Sequence, residues 1–477
     1  MVRQPAVARI GVFGIGLAAY WEQFNGLKAR LERYQRDIEA RLSEYGAQII
    51  SAGLVDTAHA AVAAGDLFAR EQIDLLVCYT ATYATSAQVL PVVQRGRRPV
   101  VVLNLQPTAQ LDYANTDTGE WLANCSACCV PEISNAFARS RIPFQVVSGQ
   151  LYDDPRAWGQ INEWIRAAAT VRSLNNSRIG FLGHTYPGML DMYSDLTMHQ
   201  AQLGTHIEVL EMDDLAARVA TISAAQVSAK HNEIVAMFEL AEPGSDKISM
   251  PITPEAIDWS ARVACGLDQL VADFQLHGLA YYYRGLDGNP FEQLGAGLIV
   301  GNTLLTARGV PCSGEGDLKT CISMLIMDRL GAGGSFTEFY AMDFIDGIIL
   351  MGHDGPGHVA ISDRKPKLRG LGLYHGKRGH GLSVEFQVRP GPVTILCTTQ
   401  TATGQLKFIL AEGQAEAGPT MQIGNTNSRL RFGLPPAEFM DSWCSHGPTH
   451  HVALGIGHQR RAIEKVTRLL GVECVLV

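Results

Sequence analysis

Four short segments of the chain bring together side chains that can do acid–base or metal chemistry. Cys312-Ser-Gly-Glu315-Gly-Asp317-Leu-Lys319-Thr sets a carboxylate between glycines just ahead of an apolar helix. The bare glycine backbone lets that carboxylate project toward a small ligand. Gly333-Gly-Ser-Phe-Thr-Glu338 sets a second carboxylate after a Gly-Gly loop, and Met351-Gly-His353-Asp-Gly-Pro-Gly-His358 offers imidazoles in a third glycine-rich turn. Ser445-His446-Gly-Pro-Thr-His450-His451 adds a histidine pair after a Gly-Pro turn. Two carboxylates and two imidazoles on four turns suit a mixed oxygen/nitrogen site for Mn²⁺, Co²⁺ or a similar ion. The competing reading is four ordinary surface turns, and spacing alone does not choose between them.

Two other motifs carry less. Gly11, Gly14 and Gly16 follow an apolar strand, but the spacing is G-x-x-G-x-G and no acidic residue closes a neighbouring strand as a dinucleotide site requires. A tight strand-to-helix turn explains them. Cys125-x-x-Cys128-Cys129 has no second C-x-x-C to complete a metal site, so a buried cysteine-rich turn is the plainer reading.

The elements that must position these groups are legible in the hydrophobic pattern. In the first 170 residues, apolar strands (Ile10-Gly-Val-Phe-Gly, Asp74-Leu-Leu-Val-Cys-Tyr, Pro99-Val-Val-Val-Leu-Asn) alternate with helices. Leu27, Leu31, Tyr34, Ile38, Leu42 and Tyr45 recur at steps of three and four, one face of a helix ended by Gly46. Helices are also expected at 57–70 and 86–94. Continuous apolar strands between helices mean a parallel sheet covered on both faces. A linker is expected at 173–177, after which Arg178-Ile-Gly-Phe-Leu-Gly repeats the strand-then-glycine opening. Helices at 215–240, 254–276, 290–307 and 317–330 and a strand Gly278-Leu-Ala-Tyr-Tyr-Tyr283 follow. Beyond residue 345, short strands such as Gly370-Leu-Gly-Leu-Tyr374, Leu382-Ser-Val-Glu-Phe-Gln-Val and Val393-Thr-Ile-Leu-Cys-Thr-Thr read as an antiparallel sandwich or barrel. The expected class is α/β: two doubly wound parallel-sheet domains (1–174 and 175–340) followed by a mostly antiparallel β C-terminal domain (341–477).

Composition excludes several functions. The 477 residues are 47% hydrophobic and 18% charged, with a net charge of −8, and hold no Lys/Arg-rich block for tracking phosphates, so a nucleic-acid partner is not expected. No run reaches the roughly 18 apolar residues of a membrane span. The apolar run at 10–20 contains three glycines and leads into an amphipathic helix, which fits a buried strand better than a secretion signal. Ten scattered cysteines in apolar surroundings fit reduced thiols and a cytoplasmic protein.

The ordered set Gly-Glu315-Gly-Asp317-x-Lys319-Thr320, Gly-Gly-Ser-Phe-x-Glu338, Gly-His353 and His450-His451 resembles the L-arabinose isomerase family, with L-fucose isomerase as a more distant relation. The resemblance runs along essentially the whole chain and is specific from about residue 311 onward. It implies two α/β domains and a β-rich C-terminal domain, and a metal-dependent aldose–ketose isomerase acting on a free pentose or hexose through an enediol. It implies Glu315, Glu338, His353 and His451 as ligands of Mn²⁺, or of Co²⁺ or another divalent cation, with Glu315 and Glu338 also the acid/base pair. His450 and Tyr283 are then expected to touch the sugar, with Asp317 and Lys319 able to orient Glu315 or Asp317 to start the helix. A homo-oligomer, hexamer or tetramer, is implied too, with part of the first domain reaching a neighbour's site. There Asn124-Cys-Ser-Ala-Cys128 takes the place of the family's Asn-Gln-Thr-Ala-His, so Cys128 stands for that histidine. After Glu338 the chain reads Phe339-Tyr-Ala-Met-Asp343 where the family has Asp-Tyr-Thr-Tyr-His. The same ligands would also serve a metal-dependent dehydratase or epimerase of a sugar or sugar acid, and the paired α/β domains a non-catalytic sugar-binding protein.

Overall fold

The computed structural model describes residues 6–244, 249–371 and 381–477. The chain divides into two compact units, Pro5–Arg172 and Ser173–Val477. The first is a five-stranded parallel sheet of β1 (Arg9–Ile15), β2 (Gln48–Val55), β3 (Leu75–Thr80), β4 (Val100–Gln106) and β5 (Phe144–Gln150), in the order β2-β1-β3-β4-β5. That order is doubly wound, with its switch point between β1 and β3. All six residues of β3 are buried, as a strand covered on both faces demands. The helix Leu27–Glu44 buries Leu27, Leu31, Tyr34, Ile38 and Leu42, and Gly46 follows it at φ 83. Residues 86–94 are not one helix: a 3₁₀ turn at Ser86–Gln88 precedes Leu90–Gly96, because Pro91 favours the first turn of a new helix.

The second unit opens on a four-stranded parallel sheet of β6 (Arg178–Gly183), β7 (His206–Leu210), β10 (Gly278–Tyr282) and β11 (Cys312–Ser313), ordered β11-β10-β6-β7. The expected linker at 173–177 is largely the end of a helix, Pro155–Asn175. The expected helix at 215–240 is two, Met212–Thr221 and Ala224–Met237; Ser223 caps the second, its Oγ accepting from the Gln226 N–H while Gln226 Oε1 accepts from the Ser223 N–H.

The antiparallel part is a closed barrel. Strands β12 (Gly333–Asp343), β13 (Ile348–His353), β16 (Gly391–Gln400), β17 (Leu406–Glu416), β18 (Thr426–Phe432) and β19 (His451–Ile456) run in the order β16-β19-β12-β13-β18-β17, and β17 pairs back onto β16. Closure removes the exposed edges of the sheet. A last strand, β20 (Glu473–Leu476), adds parallel to β17. Two short strands, β8 (Glu239–Leu240) and β9 (Ser249–Met250), pair with β14 (Lys367–Leu371), which also pairs with β15 (Gly381–Glu385). Of the strand expected from Gly370, residues 372–374 lie outside the described residues.

One helix joins sheet to barrel. Leu318–Arg329 packs on β10 and β11 and also on β12, β16 and β19, and every residue but Asp328 is buried. A helix without a polar face has to be enclosed on all sides. Its start and the neighbouring barrel strands carry the side chains singled out in the sequence. None of the described helices is long and apolar enough to cross a membrane.

Candidate metal centre

Glu315 occupies the turn between β11 and the helix Leu318–Arg329 with φ 59, a left-handed conformation that costs a non-glycine residue ~1–3 kcal/mol. The surroundings impose it. The Gly316 N–H donates to Tyr281 O at 3.0 Å, and the Tyr186 N–H donates to Glu315 O at 2.9 Å. Gly316 has φ 71, and a Cβ there would lie 2.5 Å from His184 O. Backbone from the ends of β6 and β10 therefore grips the turn on both sides and aims the carboxylate outward from the carboxyl end of the sheet.

Glu338, His353 and His451 do not sit on surface turns. They belong to β12, β13 and β19, and register brings them together: Glu338 lies opposite His451 on one side and opposite Gly352 on the other. Phe336 packs beneath both imidazoles, its ring centroid 4.4 Å from His353 and 4.3 Å from His451. Strand pairing hides from any local pattern that three residues 15 to 113 positions apart share one spot.

Among the described residues, two groups have ligating atoms all within 4.8 Å of one another: Glu315, His450 and His451, and Glu338, His353 and His451. His451 belongs to both. Its Nε2 lies 3.2 Å from His353 Nε2 and 3.7 Å from Glu315 Oε2, while His353 Nε2 lies 4.0 Å from Glu315 Oε1. His451 is fully buried, and its Nδ1 donates to Asp317 Oδ2 at 3.0 Å, which leaves Nε2 as a lone pair facing the cluster. Asp317 is also the cap of the buried helix, accepting from the Thr320 N–H at 3.0 Å and the Thr320 hydroxyl at 2.8 Å. Burial would raise the Asp317 carboxyl, but His451 and the Thr320 bonds outweigh it and hold the group below its usual range. Asp317 thus starts the helix and orients His451, not Glu315. At His353, Nδ1 accepts the Gly355 N–H at 2.9 Å and lies 3.2 Å from Asp354 Oδ1. In the tautomer that frees Nε2 for a cation, Nδ1 would carry the hydrogen and donate it to Asp354 in place of accepting from Gly355.

His450 differs from its neighbour. Its side chain is 35% exposed against 0% for His451. Asp191 Oδ2 accepts from His450 Nδ1 at 2.6 Å and from the His450 backbone N–H at 2.9 Å, and His450 Nε2 lies 3.9 Å from Glu315 Oε2. Burial pulls the imidazole down, but the Asp191 and Glu315 carboxylates overcome it and raise His450 to about 10. Glu338 is raised above the ordinary carboxyl value, by burial first, with the His451 and His450 charges opposing.

This donor set fits a divalent cation. Two carboxylates and two or three imidazole nitrogens converge, the buried imidazole is oriented by a carboxylate, and the oxygen/nitrogen mixture suits Mn²⁺ or Co²⁺. Residues 193–333 match the family model described as L-arabinose isomerase central domain, and residues 364–477 match L-fucose isomerase, C-terminal domain. The chain is related to the L-arabinose isomerases. It is 25% identical to the L-arabinose isomerase of Acidothermus cellulolyticus over 392 residues, which is 80% of this chain and 76% of that one. Against L-arabinose isomerase 1 of Bacillus licheniformis the identity is 22% over 409 residues, 84% of this chain and 80% of the relative. Against the L-arabinose isomerase of Pectobacterium carotovorum it is 26% over 377 residues, 76% and 73%.

Other residues that the resemblance to L-arabinose isomerases brought forward stand as follows. Tyr283 follows the end of β10, half-buried, its ring 6.1 Å from His184 and 5.6 Å from Phe291. Cys128 belongs to the first unit, exposed, with Sγ 2.6 Å from Cys125 Sγ. His358, which the sequence offered beside His353 in the same glycine-rich segment and not through the resemblance, is buried, with Nε2 3.8 Å from Asp328 Oδ1. Lys319 is buried and donates to the backbone oxygens of Asp191 and Tyr193 rather than reaching Glu315. Sequence reasoning passed over Asp191, Asp354, and the aromatic pair Tyr186 and Tyr282, whose rings lie 4.6 Å apart. A signal for Asp191 and Tyr186 existed: Tyr186-Pro-Gly-Met-Leu-Asp191 follows a parallel strand, and the carboxyl ends of such strands are where α/β sheets bind ligands.

Proposed function

We propose that the protein is a metal-dependent aldose–ketose isomerase of carbohydrate metabolism, acting on a free pentose or hexose such as L-arabinose through an enediol. The observation that carries the reading is that Glu315, from one turn, and Glu338, His353 and His451, from three barrel strands, fall in two groups of possible ligands that share His451. The names of the relatives and the two matched domain models support it.

Glu315, Glu338, His353 and His451 would hold Mn²⁺ or another divalent ion. Bound there, the ion supplies Lewis-acid polarisation of sugar oxygens. The remaining work falls to the chain. Moving hydrogen between C1 and C2 requires a base that takes a proton from carbon and an acid that serves the adjacent oxygen. Glu338, lifted by burial, is suited to hold a proton during that exchange. Glu315, pinned in its turn, is its counterpart. His450 presents Nε2 beside Glu315 and is placed to meet a sugar hydroxyl, and Tyr283 is proposed to wall the sugar. Cys128, a homo-oligomer of four or six copies and a cytoplasmic location belong to the same proposal and rest on the family resemblance and the cysteine usage.

The test is an assay of EDTA-stripped protein with and without Mn²⁺, offering L-arabinose, D-galactose, L-fucose and other aldoses, with ketose as the product scored. Mn²⁺-dependent ketose supports the proposal. Loss of water from an aldose would replace isomerisation by dehydration, and sugar binding that survives metal stripping without conversion would leave a binding protein.

A further inference from the structure

His450 and His451 are adjacent in sequence, and each has its own carboxylate at Nδ1: Asp191 Oδ2 at 2.6 Å and Asp317 Oδ2 at 3.0 Å. Both rings therefore turn Nε2 toward the same oxygen, Glu315 Oε2, at 3.9 and 3.7 Å. The two carboxylates share an origin. Asp317 caps the helix Leu318–Arg329, and two residues on, Lys319 reaches from that helix to the backbone oxygens of Asp191 and Tyr193. One buried helix end thus fixes both imidazoles, one directly and one through a loop. The difference lies in access: His451 and Asp317 are fully enclosed, whereas His450 and Asp191 are about one-third exposed. A group that must meet an incoming sugar has to be on the open side.

We propose that Asp191 is a positioning residue that acts through His450, locking Nε2 of that ring toward a sugar hydroxyl beside Glu315, with Lys319 anchoring the loop that carries it. This deepens the isomerase reading and rests on it. Three features set it apart from a structural ion pair. Asp191 also accepts the His450 backbone N–H, so both the ring and its main chain are held. The contact spans 259 positions of sequence and joins the sheet end to the first residues ahead of β19. With Nδ1 committed, Nε2 is the single ring nitrogen left for a ligand. His450 is also geometrically able to join Glu315 and His451 around a cation, so the experiment separates a sugar contact from a metal ligand.

The experiment is a double-mutant cycle with Asp191→Asn, His450→Gln and both together. Three readouts are taken: Mn²⁺ affinity by electron paramagnetic resonance of free ion, the Kd of the Mn²⁺-loaded protein for L-arabinitol by calorimetry, and kcat and KM for whichever aldose the wild type converts. L-arabinitol has no carbonyl and reports sugar-like binding without turnover. Asp191→Asn and His450→Gln are each expected to weaken L-arabinitol and raise KM by roughly tenfold or more, the cost of a lost charge-assisted hydrogen bond. Mn²⁺ affinity should stay within about twofold, against the 10–100-fold loss that follows damage to a ligand's support. The double variant should be no worse than His450→Gln alone, because a residue that acts through another adds nothing once that one is gone. Additive losses, or a fall in Mn²⁺ affinity with L-arabinitol binding intact, would overturn the inference while leaving the isomerase reading standing. A wild type that neither converts an aldose nor binds L-arabinitol would overturn both. Should Asp191→Asn fold poorly, Lys319→Met tests the same chain of contacts, with the same expected split between sugar and metal.

Discussion

Imidazoles in this site are sorted by the carboxylates behind them. Asp317 is buried with His451 and accepts the hydrogen bond from its Nδ1, so the Nε2 lone pair faces the cluster. Replacing Asp317 by Asn keeps a cap for Thr320, since Asn and Asp serve that position about equally. It removes the charge that makes His451 a strong donor. Asp317→Asn should therefore weaken Mn²⁺ by roughly 10–100-fold with the helix intact, checked by metal titration beside circular dichroism. A second residue makes a prediction about pH. His199 is fully buried, with Nε2 2.7 Å from Ser194 Oγ, and burial, aided by the Lys319 charge, lowers it from 6.5 to about 4. Above pH 6.5 the ring is neutral folded and unfolded, and nothing is lost. As pH falls from 6.5 toward 4 the unfolded chain binds a proton that the folded one refuses, so stability drops. Between pH 7 and pH 5 this costs about 2 kcal/mol. Urea unfolding of metal-free protein should show that loss, and His199→Gln should show correspondingly less pH dependence.

At the scale of elements, what was readable followed local periodicity. Strands β1, β3 and β4 announce themselves as continuous apolar runs, and the face Leu31, Tyr34, Ile38, Leu42 as a helix, because burial on two faces or one leaves a direct trace in residue types. Glu338, His353 and His451 were visible as chemistry yet misplaced onto turns, since their glycine-rich flanks imitate loops. Those glycines serve close backbone approach inside the barrel instead: a Cβ on Gly352 would meet Thr426 O at 1.8 Å. The place of Asp191 after a parallel strand could be read, but not its pairing with His450, and the role of Asp354 beside His353 was not legible, because both contacts exist only once β6, β13 and β19 have been brought together. The turn at Glu315 is the element on which this assembly depends most. Gly316→Ala would drive a Cβ into His184 O and strain a residue at φ 71, so the turn must open. The expected result is a drop in Mn²⁺ affinity of tenfold or more together with a destabilisation of ~1–3 kcal/mol, read by metal titration and urea unfolding. Unchanged metal binding in a folded Gly316→Ala variant would mean that Glu315 is not held by the turn.

For the whole molecule, the proposed ligands come from residues 315 to 451, all within the unit Ser173–Val477. In the unfolded chain they are strangers, so a cation that binds them binds the folded state alone and stabilises it by mass action. At a free Mn²⁺ concentration of one hundred times Kd that amounts to about 2.7 kcal/mol. Unfolding entropy scales with chain length at roughly 2.1 cal/mol/K per residue, so for a unit of this size the gain shifts Tm upward by about 4 °C. That gain depends only on the confinement of all four proposed ligands to one folding unit. Calorimetry with EDTA and with Mn²⁺ measures the shift, and amide hydrogen exchange locates it. Added protection should concentrate around Glu315, Glu338, His353 and His451 and the helix Leu318–Arg329, with the exchange of Pro5–Arg172 unchanged in the monomer. Protection spread evenly over both units would mean that the cation acts on the chain as a whole, and a Tm that ignores Mn²⁺ would mean that the four residues converge without holding one.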